Sequence, residues 1–432
     1  MVESCLAQQI IFHYNIAGDV FMNNKQLYPG LPLAETVEIN SVKIPINKLP
    51  KGLKVLENIG LAGVETLDGA VLYRAVTEMF EVRATITPGG DYLVMFPAGG
   101  HYGGNEKKAN TMIALRSPDK GKTWSNPYIA FKNIDYNQHG FVPLIPKGSK
   151  RIYSFGTQPV WGLYTRKNGL AENAPIGYFW SDDDGYNWTG PTLINPVNDP
   201  GFTGMSVIPM CETNKGTWLI SAHEGFQNPH ITNQYILRSE NQGESWEVLP
   251  GRRTNGWNVM PYHRMDEGRP IQVGDRILFM VRTPEGHLWA LWSDDDGRTW
   301  TDPAPTPLVH PDAPPMINLL SDSKTLVCLH HNRHHDVKYV GLKLDNADCM
   351  GDRSEIWVSF STDCGKTWSE PGFLYCNAAK HDLSNPFYNN ACSYNDLWVD
   401  NGYLNIFLSH RWQQAVHLQI REDDLFRLYN HQ

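Results

Sequence analysis

Short stretches in which apolar and polar residues alternate run along most of the chain, and turn residues such as Gly and Asp separate them. Five of these stretches each lead directly into a similar polar phrase. The five apolar stretches are NTMIALR, IGYFW, QYILR, LWALW and EIWVSF. Upstream of them lie pairs of further apolar stretches broken by a turn, as in RATITPGGDYLVMF. A period of two residues together with tight turns predicts antiparallel β-strands grouped in units of four.

The polar phrase occurs five times, as SPDKGKTW, SDDDGYNW, SENQGESW, SDDDGRTW and STDCGKTW, and its copies begin at Ser117, Ser181, Ser239, Ser293 and Ser361. Its Asp can accept backbone N–H bonds within a turn, its Gly supplies a positive φ, and its Trp packs over the hairpin. We therefore interpret the phrase as a structural turn. A repeat of one such turn and four strands predicts an all-β fold, the β-propeller.

The number of blades follows from the number of repeats. Five predicted blades carry the phrase, and NNACSYNDLWVDNGYLNIFLSHRWQQAVHLQI has the strands of a sixth without it. The segment from Thr36 to Val76 is predicted to supply a closing strand, with a partial seventh blade as the alternative. We predict a six-bladed propeller over residues 77–432, preceded by an N-terminal extension over residues 1–76.

Composition and charge exclude several classes of partner. The net charge of -9 argues against nucleic acid or an anionic membrane as the main partner, and no apolar run is long enough to cross a bilayer. The seven cysteines are scattered and match neither a disulfide framework nor a zinc pattern. The cluster from His330 to Asp336 matches no common metal-ligand spacing. No metal and no cofactor is therefore predicted.

The first residues, MVESCLAQQIIFHYN, lack a basic segment followed by a long apolar one. This predicts a cytoplasmic protein, or a mature form whose leader was removed. The sequence leaves the oligomeric state open.

The phrase S-x-D-x-G-x-T-W, repeated around a propeller, resembles the Asp-box of the sialidase superfamily, and the resemblance extends roughly from Phe80 to Leu418. It implies a site on the propeller axis where three arginines bind the carboxylate of a sugar. Arg83, Arg282 and Arg353 match those three positions. A guanidinium pairs bidentately with a carboxylate, although a single arginine is more often part of an ordinary ion pair.

The resemblance also implies a tyrosine nucleophile that a glutamate activates. Glu267 precedes Arg282 at the family's spacing, and CSYNDLWVDNG resembles the strand that carries the tyrosine. Tyr394 is therefore the first candidate and Tyr388 the second. A neutral phenol avoids charge repulsion when it approaches an anomeric carbon that bears a carboxylate.

One position departs from the family pattern. In the loop AGGHYGGNEKKAN, Asn105 stands where the family has its acid/base aspartate, and an amide cannot transfer a proton. Asn105 is accordingly predicted to contact substrate, and its neighbours Glu106 and His101 are the candidate proton donors. His139, at the start of the second blade, is predicted to face the axis as well.

These residues favour a sialidase-like glycoside hydrolase that removes a terminal carboxylated sugar from a glycan. One alternative is a propeller polysaccharide lyase, in which His101, His139 and a tyrosine remove the proton next to a uronate carboxylate. Another is a carbohydrate-binding propeller without catalytic activity, because Asp-box propellers also serve as binding modules.

Overall fold

The alternating stretches form antiparallel strands in the structure, which is a computed structural model. It describes residues 36–39, 42–45, 53–56, 61–64, 68–74, 81–97, 109–134, 141–157, 173–206, 208–227, 230–251, 256–259, 264–334, 338–340, 343–345, 353, 355–377, 391–410 and 414–430. Six sheets arranged as the blades of a β-propeller account for most of these residues.

The N-terminal segment contributes five strands. They are β1 Thr36–Ile39, β2 Val42–Pro45, β3 Leu53–Leu56, β4 Leu61–Val64 and β5 Asp68–Arg74. Strands β1 and β2 form a separate hairpin, and the other three join sheets of the propeller.

The first three blades are four-stranded and follow one another along the chain. Blade 1 consists of β6 Arg83–Ile86, β7 Tyr92–Pro97, β8 Asn110–Ser117 and β9 Tyr128–Ile134. Blade 2 consists of β10 Val142–Leu144, β11 Ile152–Thr157, β12 Ile176–Ser181 and β13 Thr189–Leu193. Blade 3 consists of β14 Cys211–Glu212, β15 Trp218–Gln227, β16 His230–Ser239 and β17 Glu247–Leu249.

Blade 4 repeats this arrangement, and blade 5 contains an inserted hairpin. Blade 4 consists of β18 Asp266–Val273, β19 Arg276–Arg282, β20 His287–Ser293 and β21 Ala304–Val309. Blade 5 and its inserted hairpin (β24, β25) comprise β22 Met316–Leu319, β23 Leu326–His330, β24 Lys338–Val340, β25 Lys343–Asp345, β26 Glu355–Ser361 and β27 Gly372–Asn377. Strands β4 and β3 extend the sheet of blade 5 beyond β27.

Blade 6 closes the ring. Its own strands are β28 Asp396–Asp400, β29 Tyr403–His410 and β30 Gln414–Arg421. Its fourth strand is β5, which pairs antiparallel with β30. The N-terminal segment therefore completes the sixth blade, and the prediction of a six-bladed all-β propeller is confirmed. The division at residues 76 and 77 stays a prediction.

One helix, α1 Glu422–Asn430, follows β30. Among the described residues, no helix has the length and apolar character needed to cross a membrane.

The core lies between neighbouring blades. On β19, Ile277, Phe279 and Val281 pack toward blade 3, whereas Leu278 and Met280 pack toward blade 5. A middle strand is thus buried on both faces, which explains why RILFMVR is continuously apolar. This two-sided packing holds the inner strands of the six blades around a common axis.

The repeated phrases form the turns between the third and fourth strands of blades 1 to 5. In blade 4, the Asp295 carboxylate accepts hydrogen bonds from the Thr299 backbone N–H (2.9 Å) and the Thr299 hydroxyl (2.7 Å). The Trp300 Nε1–H donates to the Gly297 carbonyl (3.0 Å), and Gly297 has a φ of 78°. All of these bonds lie within the turn itself.

Candidate active site on the propeller axis

Five of the predicted site residues lie close to the axis in the described part of the chain. They are Arg83, Glu267, Arg282, Arg353 and Tyr394, and each is at most 5% exposed. Because water does not reach them freely, their charges and polar atoms need partners inside the protein. The pattern of those partners determines what chemistry the site can support.

Tyr394 and Glu267 are in direct contact. The Tyr394 hydroxyl lies 2.9 Å from Oε1 and 3.1 Å from Oε2 of Glu267 and donates to this carboxylate. Arg282 Nη1 donates to the same hydroxyl oxygen at 3.1 Å and also pairs with Glu267. A phenol that donates to a carboxylate and accepts from a guanidinium has the geometry of an activated nucleophile.

The electrostatic environment fixes the protonation of this pair. Burial, followed by the charge of Glu267, raises the pKa of Tyr394 well above its ordinary value. Burial opposes ionisation of Glu267, but Arg282, then His223 and Arg264, lower its pKa to about 2. At neutral pH the pair is therefore a phenol and a carboxylate. Tyr394 therefore loses its phenolic proton only while its oxygen reacts with a group on which positive charge develops.

The backbone at the site is strained. Glu267 has a φ of 46°, Tyr394 of 61° and Glu81, next to the axis, of 49°. Such values are uncommon for residues other than Gly, and they persist only where the surroundings impose them. On β18 the register shifts between Asp266 and Arg269, so Glu267 sits in a β-bulge. Bulges re-aim side chains next to active sites, which fits the direction of Glu267 toward Tyr394.

Asp312 connects the arginines of blades 4 and 5. It lies in the loop between β21 and β22, and its carboxylate accepts from Arg282 Nε at 2.7 Å and pairs with Arg264 Nη1 at 3.1 Å. Its backbone carbonyl accepts a hydrogen bond from Arg353 Nη2. Although burial opposes ionisation, Arg264 and Arg282 hold the pKa of Asp312 well below its ordinary value. One loop residue therefore orients two of the three predicted clamp arginines.

Arg83 and Arg353 differ in how much of their hydrogen-bonding capacity is already used. Arg83 Nη1 lies 3.2 Å from Asp396, and Arg83 Nη2 lies 3.2 Å from Glu81, so two carboxylates already neutralise it. Arg353 has no ion pair with any carboxylate of the described residues, and its buried Nε has no hydrogen-bond partner. Its Cζ lies 6.0 Å from the centre of the Tyr394 ring. Arg353 is thus better placed than Arg83 to receive a ligand carboxylate.

The remaining predicted site residues, His101, Asn105, Glu106 and His139, lie outside the described residues. The same holds for Tyr388, the second candidate for the nucleophile. Their roles stay predictions. In the described ranges no group of three or more His, Cys, Asp or Glu side chains is placed to hold a metal ion.

Sequence reasoning missed six residues of this network: Glu81, His223, Arg264, Asp266, Asp312 and Asp396. For some of them a signal exists. Glu81 lies two residues before Arg83, and Asp396 two residues after Tyr394, a spacing that places side chains on one face of an extended chain. Asp312 has no such signal, because an acidic residue in HPDAPP is typical of a solvent-exposed turn.

Comparison with known proteins agrees with this fold. Residues 157–406 match a protein family described as a BNR repeat-like domain. Over 226 residues the chain is 24% identical to a xyloglucanase from a Paenibacillus species. The match covers 49% of this chain and 20% of the xyloglucanase. The chain therefore matches only about a fifth of that protein's length.

Two solved structures with the same architecture are sialidases. The Hadza microbial sialidase Hz136 superposes with a TM-score of 0.61 at 16% identity, covering 90% of this chain and 72% of that protein. The leech intramolecular trans-sialidase superposes with a TM-score of 0.58 at 13% identity, covering 90% of this chain and 74% of that protein. At these identities the likeness shows the fold alone.

Proposed function

The chain belongs to the BNR repeat-like domain family, and from the geometry of its axial site we propose that it is a sialidase-like glycoside hydrolase. The proposed substrate is a glycan with a terminal sugar that bears a carboxylate. The observation that carries this proposal is the Tyr394 hydroxyl, held between the Glu267 carboxylate and Arg282 Nη1.

In the proposed first step, the Tyr394 oxygen attacks the anomeric carbon and the bond to the leaving oxygen breaks. Glu267 takes the phenolic proton as the new carbon–oxygen bond forms. The product of this step is a sugar covalently attached to Tyr394, and the departing oxygen takes a proton from an acid. Arg282 stabilises the negative charge that develops on the phenolic oxygen.

In the second step, the acid that was deprotonated in the first step takes a proton from water as the water oxygen attacks the anomeric carbon and Tyr394 departs. Glu267 returns the proton to the phenolic oxygen, which restores the starting state. Two displacements at the same carbon give retention of configuration.

The acidic substituent of the substrate is assigned to Arg353. Its guanidinium lies beside the Tyr394 ring and has no carboxylate partner among the described residues. A carboxylate placed there forms a charge-assisted pair in a site that excludes water. Arg282 adds positive potential, although Asp312 and Glu267 offset much of its charge.

The proton donor for the leaving oxygen is assigned to the loop that contains His101, Asn105 and Glu106. Asn105 cannot donate a proton, so Glu106 or His101 has this role in the proposal. A good leaving group needs little protonation. Aryl glycosides of acidic sugars are therefore the first substrates to test.

The test is a screen of the purified chain on aryl N-acetylneuraminic acid, aryl glucuronide, sialyllactose, a uronate polysaccharide and xyloglucan oligosaccharides. Mass spectrometry of protein quenched during turnover is expected to find a sugar attached to Tyr394. The matched control is Tyr403→Phe, a second tyrosine of blade 6, which should keep both turnover and adduct.

Three results would overturn the proposal. Release of an unsaturated uronate, seen by its ultraviolet absorbance, would indicate a lyase. Turnover of neutral xyloglucan oligosaccharides alone would exclude an acidic sugar as the substrate. Saturable binding of a sugar without turnover of any substrate would indicate a binding propeller.

A further inference from the structure

Arg269 occupies the propeller axis beyond the site described above. It lies on β18 two residues after Glu267, just beyond the β-bulge, and it is 8% exposed. The groups whose charges act on it most strongly are Asp396 of blade 6, Arg83 of blade 1 and Cys328 of blade 5. Ionisable groups from three other blades therefore act on this guanidinium.

Arg269 has no partner in the part of the chain that the structure describes. Its Nη1 is buried and makes no hydrogen bond, and no carboxylate there forms an ion pair with it. The nearest acidic group in terms of charge, Asp396, has its oxygens directed elsewhere. Its Oδ1 pairs with Arg83 and its Oδ2 accepts from the Ala84 N–H at 3.0 Å.

Several other buried arginines among the described residues form ion pairs with carboxylates, whereas Arg353, like Arg269, does not. Arg238, which is 1% exposed, forms ion pairs with Glu240, Glu247 and Asp296. Arg282 forms ion pairs with Asp266, Glu267 and Asp312. Arg269 departs from this pattern, although the desolvation cost of a buried guanidinium is the same.

A guanidinium cannot escape that cost by losing its proton. Burial, followed by repulsion from Arg83, lowers the pKa of Arg269 to about 10, which still leaves it charged at neutral pH. Its N–H groups therefore need a hydrogen-bond acceptor from outside the described side chains. A buried charge without a partner is strongly unfavourable, so the acceptor contributes to the stability of the fold.

We propose that Arg269 is the cation of an anion-binding site on the propeller axis, and that this site takes a small monoanion. The anion is either a free halide ion or the carboxylate of a bound sugar. A single negative charge is favoured over a divalent one because the nearby carboxylates of Glu81 and Asp396, which pair with Arg83, would repel a second negative charge. The site is separate from the Tyr394–Glu267 pair, and the proposal does not depend on the proposed reaction.

The first experiment locates the anion directly. Crystals of the full chain are soaked in sodium bromide, and anomalous diffraction is recorded at the bromine edge. An anomalous peak within hydrogen-bonding distance of the Arg269 guanidinium is expected in the unchanged chain, and its disappearance is expected in Arg269→Gln. Bromide peaks at the surface only, with water at Arg269, would overturn the proposal.

The second experiment measures the contribution to stability and needs no turnover. Thermal unfolding is followed while bromide replaces a bulky organic sulfonate at constant ionic strength. The midpoint temperature of unfolding of the unchanged chain should rise by a few degrees with bromide concentration and then level off. This is the behaviour of an anion that binds one site in the folded state only. Arg269→Gln should not respond, whereas Arg151→Gln, which removes an exposed ion pair with Asp182, should respond like the unchanged chain.

The third experiment distinguishes the two sources of the anion. Bromide-soaked crystals are transferred to N-acetylneuraminate or glucuronate. Loss of the peak with a sugar carboxylate at Arg269 assigns the site to the substrate and overturns the assignment of that carboxylate to Arg353, whereas retention of the peak assigns the site to a free ion. If Arg269→Gln does not fold, Arg269→Lys keeps the charge and should bind bromide more weakly. An equal bromide response in Arg269→Lys and the unchanged chain, without a peak at residue 269, would refute the site.

Discussion

The turns at the rim of the blades and the cluster on the axis use the same chemical groups in opposite ways. At the rim, the Asp295 carboxylate bonds to Thr299 four residues away, and the turn is exposed. On the axis, Glu267 bonds to Tyr394, 127 residues away, and both are buried. The rim turn occurs five times in the sequence, with Asn241 in place of the aspartate in blade 3, whereas the described residues contain the axial arrangement once.

The difference separates structure from chemistry. A carboxylate whose hydrogen bonds all lie within its own turn stabilises that turn, and most of its hydrogen-bonding capacity is used there. A buried carboxylate that holds a phenol from another blade is ionised in a dry site, where it can accept a proton. Positive φ values follow the same division, since at the rim they occur at Gly and its predecessor, and on the axis at Glu267 and Tyr394.

The largest effect on activity is expected at Tyr394, an axial residue that has no counterpart in the rim turns. Tyr394→Phe removes one oxygen and keeps the ring, so turnover of the substrate found in the screen should fall by roughly a thousandfold or more. The free energy of unfolding should change far less than activity. Steady-state kinetics with Tyr403→Phe as the control measures this, and residual activity above a tenth would place the nucleophile elsewhere.

Arg353 and Arg83 both lie on the axis, but we expect their loss to affect different properties, activity for Arg353 and stability for Arg83. Arg353→Ala removes the cation assigned to the substrate carboxylate, and kcat/KM should fall by about a hundredfold or more. Arg83→Ala leaves Glu81 and Asp396 buried without their cation, and should cost about 3–5 kcal/mol of stability. Kinetics and urea unfolding of both variants test this. Interchanged results would assign the clamp to Arg83.

Asp312→Asn tests whether the loop between blades 4 and 5 belongs to the axial network. The change keeps the shape but removes the charge that pairs with Arg282 and Arg264, so stability at pH 7 should fall by about 3 kcal/mol. The folded pKa of Asp312 lies below its unfolded value of about 3.9. The stability it contributes is therefore fully present above pH 4 to 5 and is lost as pH falls toward the folded pKa.

Urea unfolding of Asp312→Asn and the unchanged chain at pH 7 and pH 3 measures this dependence. The difference between them should be smaller at pH 3. A difference that grows on acidification would contradict an ionised Asp312 in the folded protein. Asp322→Asn, an acidic residue in an exposed turn, serves as the control.

The smallest effect on activity is expected at the rim. Asp295→Ala removes the turn hydrogen bonds and should lower stability by about 1–3 kcal/mol, while the folded fraction keeps its turnover. Urea unfolding and kinetics, with exposed Asp302→Ala as the control, check this. A variant that is fully stable but inactive would contradict the claim that the rim turns are structural and that the chemistry lies on the axis.

The same division explains what the sequence could predict. The rim turns are local, so each phrase contains its own hydrogen-bonding partners, and five copies at blade-like spacing lead to the propeller. Tyr394 and Glu267 could be named only through a family resemblance, because nothing local joins residues 127 positions apart.

The network around Arg282 could not be predicted from sequence. Its partner Asp312 lies 30 residues away in a loop between two blades. Whether that loop turns its carboxylate inward depends on how neighbouring blades pack, which periodicity does not encode. Arg269 illustrates the same limit, since strand alternation places it but does not reveal that Arg238 and Arg282 have carboxylate partners and that Arg269 has none among the described residues.

The pairing of β5 with β30 has a consequence for the order of assembly. Val71 of β5 pairs with Val416 of β30. During translation, β5 therefore cannot pair until a strand more than three hundred residues later in the chain has been made. Until then the outer edge of β30 offers unpaired N–H and C=O groups. Ring closure is therefore a late, slow event of high contact order. If two chains are nearby at that moment, each can donate β5 to the other, and refolding at rising concentration should reveal such exchanged dimers by size-exclusion chromatography.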